Sequence, residues 1–396
     1  MRKPQRFFQN ILLASGALVV LFVVLEVAAR LVLFHSGDVY RFLTYASLHQ
    51  VQKRLDTVAP YLRYSPHRYL GYYPTPNYAH ADNKHNALGY RDDEIAMPKP
   101  RGEFRIACVG GSTTYTCCVG HYGYSYPNCL ERELHERGYT DVNVINAGAD
   151  GWSSYETVIN FALRVQDLAP DLVLIRDGVN DVFARMVWPP EAYQGDNSGY
   201  RAPLVSQVFM PSILEYSTLL RGLMIKIGMV QPHTALMRSY DTHHTETFHG
   251  FAYETQLQDG SYPDGVFAEA GVRTMFETNP PTYFKRNIEN TIALARRSSI
   301  TPVLVTVSFA PQHELTGKGR PLMASPEFLE ELEECNRTIR GIAHDRDVPL
   351  FDIAEVFPAD DEYFQDGLHV NFEGVQLEGR LFADFLIRAE LLPERP

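Results

Sequence analysis

The stretch "RIACVGGSTT", Arg105 to Thr114, decides how this chain is read. An apolar run ends in two glycines, and Ser112 comes directly after them. Such a run suits a strand buried on both faces, and the glycines suit a tight turn into a helix. Taken alone, Ser112 is a helix N-cap, since serine readily accepts from the free N–H groups of a first turn. The same turn would equally present its hydroxyl as a nucleophile. The rest of the chain has to decide between the two.

Four more runs have the same character: "VNVINAG" (142–148), "DLVLIRDG" (171–178), "TPVLVTVS" (301–308) and "VPLFDIA" (348–354). Amphipathic segments lie between and after them. "YPNCLERELHERG" sets Leu130 and Leu134 on one face and stops at Gly138. "YETVINFALRVQDLAP" stops at Pro170, and three longer helical patterns begin near Tyr283, Pro326 and Glu373. This alternation predicts a doubly wound α/β/α sandwich around a five-stranded parallel sheet. It breaks between 188 and 281, a stretch too long for a loop in a compact domain, which is therefore read as an inserted, lid-like region. Inside the insertion, Met224 to Met229 reads as part of a buried helix, with contact to a bilayer as the other reading.

Ligands of an open parallel sheet bind beyond the carboxyl ends of its strands. Past the first strand come Gly110-Gly111-Ser112, and past the second "NAGADG" with Gly148 and Gly151. Past the third comes "DGVND" with Asn180 and Asp181, and past the fifth "DGLHVN" with Asp366 and His369. Each is bland alone: a cap, a glycine loop, a turn, an Asp/His pair. Together they complete a set of roles. Ser112 is the candidate nucleophile, His369 the general base and Asp366 the residue that orients it. The backbone N–H groups of Ser112 and Gly151 and the Asn180 amide are the candidate oxyanion donors. This chemistry needs no metal and no cofactor.

With these residues in order, the chain resembles the SGNH, or GDSL-type, hydrolases. Four blocks carry the resemblance: Gly110-Gly111-Ser112, "NAGADG" with Gly151, "GVND" with Asn180, and "DGLH" with Asp366 and His369. It covers Phe104 to the C-terminus apart from the insertion and implies a flavodoxin-like fold. The family's usual "GDS" is "GGS" here, with Gly111 in place of the aspartate. That position lies outside the triad, but the change weakens any transfer of substrate class.

The N-terminus sets the context. Arg2, Lys3 and Arg6 form a basic tail (1–10), and Ile11 to Leu25 carries no charge. The apolar stretch continues to Phe34, interrupted by Glu26 and Arg30, whose i,i+4 spacing allows them to pair. Residues 11–34 are read as a transmembrane signal anchor with the basic end cytoplasmic, which sends the rest of the chain across the membrane. Cleavage near Val27–Ala29 is the competing reading. Residues 36–100 come next as a stalk and lead-in, and 101–396 as the hydrolase-like domain. The combination of anchor, "LGYR" lead-in (88–91) and hydrolase domain also resembles membrane-anchored bacterial SGNH proteins of cell-surface polysaccharide systems.

The formal net charge of −12 argues against nucleic acid as a partner. Trp152 and Tyr155 are candidates for the floor of a substrate pocket, and His313, next to Gln312, for a substrate contact. Asp241, His243, His244 and His249 read as a polar flap rather than a metal site. No CxxC pair has metal spacing. Cys108 reads as a free core thiol, and Cys129 could bridge Cys117 or Cys118. The expected function is a membrane-anchored serine esterase that removes O-acyl groups, acetyl above all, from an extracytoplasmic carbohydrate or another small ester. The alternatives are an O-acyltransferase of a surface polysaccharide, working beside a membrane acyl-donor protein, and a non-catalytic scaffold of a polysaccharide assembly machine.

Overall fold

The computed structural model describes residues 3–35, 39–47, 50, 54, 63–67, 69–186, 190–196, 214, 216–230, 271–310 and 325–394. Along the chain run α1 (Lys3–His35), α2 (Val39–Tyr45), β1 (Phe104–Gly110), α3 (Tyr126–Glu136), β2 (Val142–Asn146), α4 (Ser154–Asn160), β3 (Leu172–Arg176), α5 (Val179–Ala184), α6 (Thr218–Lys226), α7 (Val272–Thr278), α8 (Thr282–Arg297), β4 (Thr301–Val305), α9 (Pro326–Arg346), β5 (Leu350–Phe351) and α10 (Phe372–Arg388). Two short antiparallel hairpins, Tyr64–His67 with Gly71–Pro74 and Ala79–His80 with Asn83–Lys84, precede β1.

The five strands pair in the order β2-β1-β3-β4-β5, all parallel. Ile106 stands between Val144 and Leu172, and Leu174 lies opposite Val303. This is the doubly wound order in which the chain leaves β1 one way and then returns past it, so a crevice opens at the carboxyl ends of β1 and β3. Alternate residues of each strand feed two cores. Ala107, Val109, Val173, Ile175 and Leu304 pack under Ile288 and Ile292 of α8 and Phe328 and Leu332 of α9. Ile106, Cys108, Leu172, Leu174, Val303 and Val305 pack under Leu130 and Leu134 of α3 and Phe382 and Leu386 of α10. The period of two along each strand thus yields three layers, with the sheet buried on both faces.

The segment before β1 is folded onto the domain. Arg91 is 1% exposed, and its guanidinium donates to the carbonyls of Tyr115, Val119 and Gly120 and to Asn83 Oδ1. Arg63 pairs with Asp150 at 2.9 Å, and the Asp150 N–H donates to Tyr64 Oη at 3.2 Å. Asp92 accepts from the Asn146 N–H and from Asn128 Nδ2, both at 3.0 Å. Burial is the leading influence on its carboxyl and raises its pKa to about 7.

Helix α1 contains a 29-residue stretch, Phe7–His35, whose most apolar window has a mean hydropathy of 2.7 and is not buried, so it is long and apolar enough to cross a membrane. Its C-terminal end packs on the rest of the chain. Leu33 shares a buried cluster with Phe42, Tyr64, Tyr72, Ala149 and Trp152. Helix α6, within the insertion, also docks here. Glu26 pairs with Arg30 at 2.7 Å and accepts from Ser217 Oγ and the N–H groups of Thr218 and Leu219 at 2.8–2.9 Å, so it caps α6. The expectation of a buried apolar helix is corrected at this point. Helix α6 buries its polar side, Thr218 and Arg221, while Leu223 and Ile227 are exposed, as is Met229 just beyond it. Arg221 Nε donates to the Ala46 carbonyl and Gln50 Nε2 to Thr218 Oγ1, and these bonds turn the polar face inward.

At the contact between α3 and α10, a Cβ added to Gly379 would lie 2.7 Å from Cys129 Cβ and 2.9 Å from its carbonyl carbon. Glycine to alanine within a helix ordinarily stabilises by about 1 kcal/mol. Here the sign reverses: Gly379→Ala destabilises the domain by roughly 1–3 kcal/mol through overpacking, read as a lowered urea midpoint.

Candidate active site

The site begins with a backbone constraint. Gly110 has φ +151°, and a Cβ there would lie 2.2 Å from the Arg176 carbonyl oxygen of β3. At Gly111 a Cβ would lie 2.6 Å from the Trp152 carbonyl oxygen and 2.7 Å from Asn180 Nδ2. No side chain fits at either position, so the departure from "GDS" at Gly111 has a physical reason in this chain. Ser112 then opens a one-turn helix, Ser112–Tyr115, that Thr116 ends at φ +61°. In the first turn the Ser112 N–H has no intrahelical acceptor.

Ser112 Oγ lies 2.8 Å from His369 Nε2, and both residues are less than a tenth exposed. His369 Nδ1 lies 2.8 Å from Asp366 Oδ2. The i,i+3 pair is built by a local turn. Asp366 Oδ1 accepts from the N–H groups of Leu368 and His369 at 2.9 and 2.7 Å, which folds "DGLH" back on itself. The Ala310 N–H donates to the Gly367 carbonyl and ties this turn to the segment after β4. With Nδ1–H directed at the carboxylate, Nε2 is left as the acceptor facing Ser112.

Burial opposes a charge on His369, but the Asp366 carboxylate outweighs it and holds the imidazole pKa well above its ordinary value of 6.5. Cys117, which also touches the ring, is itself held protonated. Its bond with Cys118 and its burial both push its thiol up, so Asp366 is the charge responsible.

Asn180 Nδ2 donates to the Trp152 carbonyl at 2.7 Å, which brings the amide beside Gly111 and Ser112. Gly151, at φ +70°, forms the turn just before that carbonyl. Asp181 clamps the same loop by accepting from Ser154 N–H at 3.1 Å and from Ser154 Oγ. Asp177 lies close by, with Thr157 Oγ1 donating to it at 3.0 Å. Burial raises the pKa of Asp181 to about 7, so this acidic pair does not carry two full charges at neutral pH.

Two small cavities of about 10 Å³ each flank Ser112, one on the His369 side and one on the Asn180 side, and Arg176 lines both. Each has room for about one water. Arg176 is buried and pairs with Glu378 of α10 at 2.6 Å. This ion pair beneath the site has no signature in the sequence beyond Arg176 at the end of an apolar run, since Glu378 is one of several charges on its helix.

Of the expected aromatic floor, Trp152 lines the cavity on the Asn180 side of Ser112, and its indole, 1% exposed, packs in the cluster with Leu33 and Tyr72. Tyr155 lines neither cavity beside Ser112, and the charges acting on its hydroxyl are Asp196, Glu156 and Arg286. His313 and Gln312 lie outside the described residues, as do Asp241, His243, His244 and His249. The bridge that the sequence left open for Cys129, to Cys117 or Cys118, is absent. All five cysteines are free, and Cys129 Sγ is buried and accepts from Arg132 and Gln376. Despite the lack of any CxxC spacing, the fold brings Cys117, Cys118 and His369 together.

No protein-family model and no curated protein matches the chain. Among solved structures it is similar to a lipase/acylhydrolase from Enterococcus faecalis, at 15% identity over 74% of this chain and 99% of that one, with a TM-score of 0.41. It is also similar to a GDSL-like lipase from Bacteroides thetaiotaomicron, at 16% identity over 74% and 93%, TM-score 0.38. A third similar structure is an acetyl xylan esterase, at 15% identity over 72% and 99%, TM-score 0.39. The fold described above rests on this chain's own strand order and register.

The close approach at Gly111 predicts that Gly111→Asp, which restores the commoner motif, displaces the Trp152 carbonyl or Asn180. For a site that turns over esters, turnover then falls by at least roughly 10²-fold, the scale of losing one oxyanion donor, while circular dichroism still reports a folded chain.

Proposed function

We propose that this chain is a membrane-anchored serine esterase that removes small O-acyl groups, acetyl above all, from an extracytoplasmic carbohydrate. The observation that carries the reading is the buried line from Ser112 Oγ through His369 to Asp366, with both hydrogen bonds at 2.8 Å. In this mechanism Ser112 Oγ attacks the ester carbonyl as His369 Nε2 takes its proton. Asp366 stabilises the imidazolium, and the oxyanion receives N–H donors from Ser112, Gly151 and Asn180. His369 returns the proton to the leaving alcohol. Water, activated by the same histidine, then releases the acid from Ser112.

The anchored part of the proposal draws on α1 and α6. About 20 residues of helix cross a hydrocarbon layer of about 30 Å, so a span that enters at Phe7 leaves near Glu26. Helix α6 is capped at that level and turns Leu223 and Ile227 outward, as expected of a short helix lying in the interface. A site held this close to lipid also favours the second reading, an O-acyltransferase that receives its acyl group from a membrane partner and passes it from Ser112 to a sugar hydroxyl. The lifetime of acyl-Ser112 separates the two. Rapid hydrolysis supports the esterase, and persistence until a saccharide is added supports the transferase.

Ser112→Ala is expected to lower p-nitrophenyl acetate turnover by roughly 10³- to 10⁶-fold and to abolish the acyl adduct seen by intact mass. Only neutral His369 accepts a proton, and its pKa is raised, so kcat/KM climbs with pH through a midpoint above 6.5. Asp366→Asn removes the stabilising charge. It moves that midpoint down and lowers the plateau by roughly 10⁴-fold, as read from pH–rate profiles. For the membrane seat, a tryptophan placed by Ile227→Trp in the full chain, reconstituted in vesicles, is quenched by brominated lipid beyond the wild-type signal. Unquenched emission would put α6 in water.

A further inference from the structure

Two thiols that the proposed hydrolysis does not use stand against its histidine. Cys117 Sγ and Cys118 Sγ are 3.6 Å apart, and with a ring nitrogen of His369 they place three donor atoms within 4.8 Å of one another. Zinc binds thiolate at about 2.3 Å and imidazole at about 2.0–2.1 Å in tetrahedral geometry, which separates two thiolates by about 3.8 Å and a thiolate from the nitrogen by about 3.6 Å. The donors here need only small adjustments to meet one ion.

The frame around them is built. The Cys117 N–H donates to the Ser112 carbonyl at 3.2 Å, so the thiol loop is pinned to the serine turn. Buried Arg91 holds the carbonyls on either side of the pair, those of Tyr115, Val119 and Gly120. Asp366 on His369 Nδ1 leaves Nε2 outward, the carboxylate–histidine arrangement that supports a metal-bound imidazole. Cys118 is exposed, so an ion can enter from solvent.

We propose that Cys117, Cys118 and His369 form a site for a thiophilic divalent cation, zinc in the first instance, whose binding withdraws His369 from Ser112 and switches the site off. Binding is a ligand exchange without redox change. Both thiols release their protons to solvent, two sulfur–metal bonds and one nitrogen–metal bond form, and the His369–Ser112 hydrogen bond breaks. A water or Ser112 Oγ takes the fourth position. The inhibition rests on the esterase reading above, whereas the binding does not.

The test uses the full chain in detergent, thiols reduced and metals stripped. Zinc is titrated against a chromophoric chelator, and cobalt is substituted to read thiolate-to-metal charge transfer. The expected result is a single zinc per chain, a thiolate–cobalt band, and ester turnover that zinc suppresses and a chelator restores. Cys118→Ser weakens zinc binding by more than about tenfold, which even the loss of an outer partner can cost, and raises the inhibitory zinc concentration in step. Ser112→Ala, inert as an esterase, still binds zinc and gives the band, so the site is decided even if no ester is ever turned over. Zinc that binds wild type and Cys118→Ser equally would exclude Cys118 as a ligand and overturn the proposal. A reduced protein whose cobalt form shows no thiolate band would overturn it as well.

Discussion

The structure depends on one close approach. At Gly110 and Gly111 the end of the central strand passes so near the Arg176 carbonyl, the Trp152 carbonyl and the Asn180 amide that no Cβ is admitted. This packing brings the carboxyl ends of β1, β2 and β3 to a single point. The hydroxyl of Ser112 is positioned by that convergence rather than by its own side-chain partners. The remaining component, the Asp366–His369 turn, arrives from the far edge of the sheet, its Gly367 carbonyl tied to Ala310 in the segment after β4. Hence a serine and a histidine 257 residues apart in sequence meet at hydrogen-bonding distance.

Around this point buried polar groups are arranged in pairs, although Arg176 Nε and Nη1 and Glu378 Oε2 lack a hydrogen-bond partner among the described residues. Arg63 with Asp150, Arg176 with Glu378, and Asp181 with Ser154 all lie beneath or beside the site. Removing one member of such a pair strands the other, which costs more than the pair contributes. Their use here is positional. Each holds a loop that carries a candidate catalytic group.

The sheet was legible in the sequence because its strands are buried on both faces and therefore read as apolar runs, three of which end at glycine. The candidate site was legible because Ser112, Asn180 and His369 each come after such a run. The features that escaped depend on contacts between distant segments. Trp152 lines the cavity beside Ser112, as its place after Gly151 suggests, but its packing against Leu33 and Tyr72 has no signal in the sequence. Helix α6 read as core by composition, but Glu26, Gln50 and Ala46 claim its polar side. The Cys117–Cys118–His369 cluster escaped the spacing rules because its members come from opposite ends of the domain. Gly111 looked like a loss from a motif, and only the positions of Trp152 and Asn180 show it to be a requirement.

The cluster that joins Leu33 to Ala149 and Trp152 has a consequence for reach. Leu33 belongs to the same continuous helix as the apolar span, and it shares its packing with the loop that carries Gly151. In a chain anchored by that helix, the height of the site is set by side-chain packing rather than by the length of a tether. Seven residues of helix separate Glu26 from Leu33, a rise of about 10 Å. The working zone becomes a thin layer parallel to the bilayer. For a chain so anchored, encounters with a ligand would be counted per area of membrane rather than per volume.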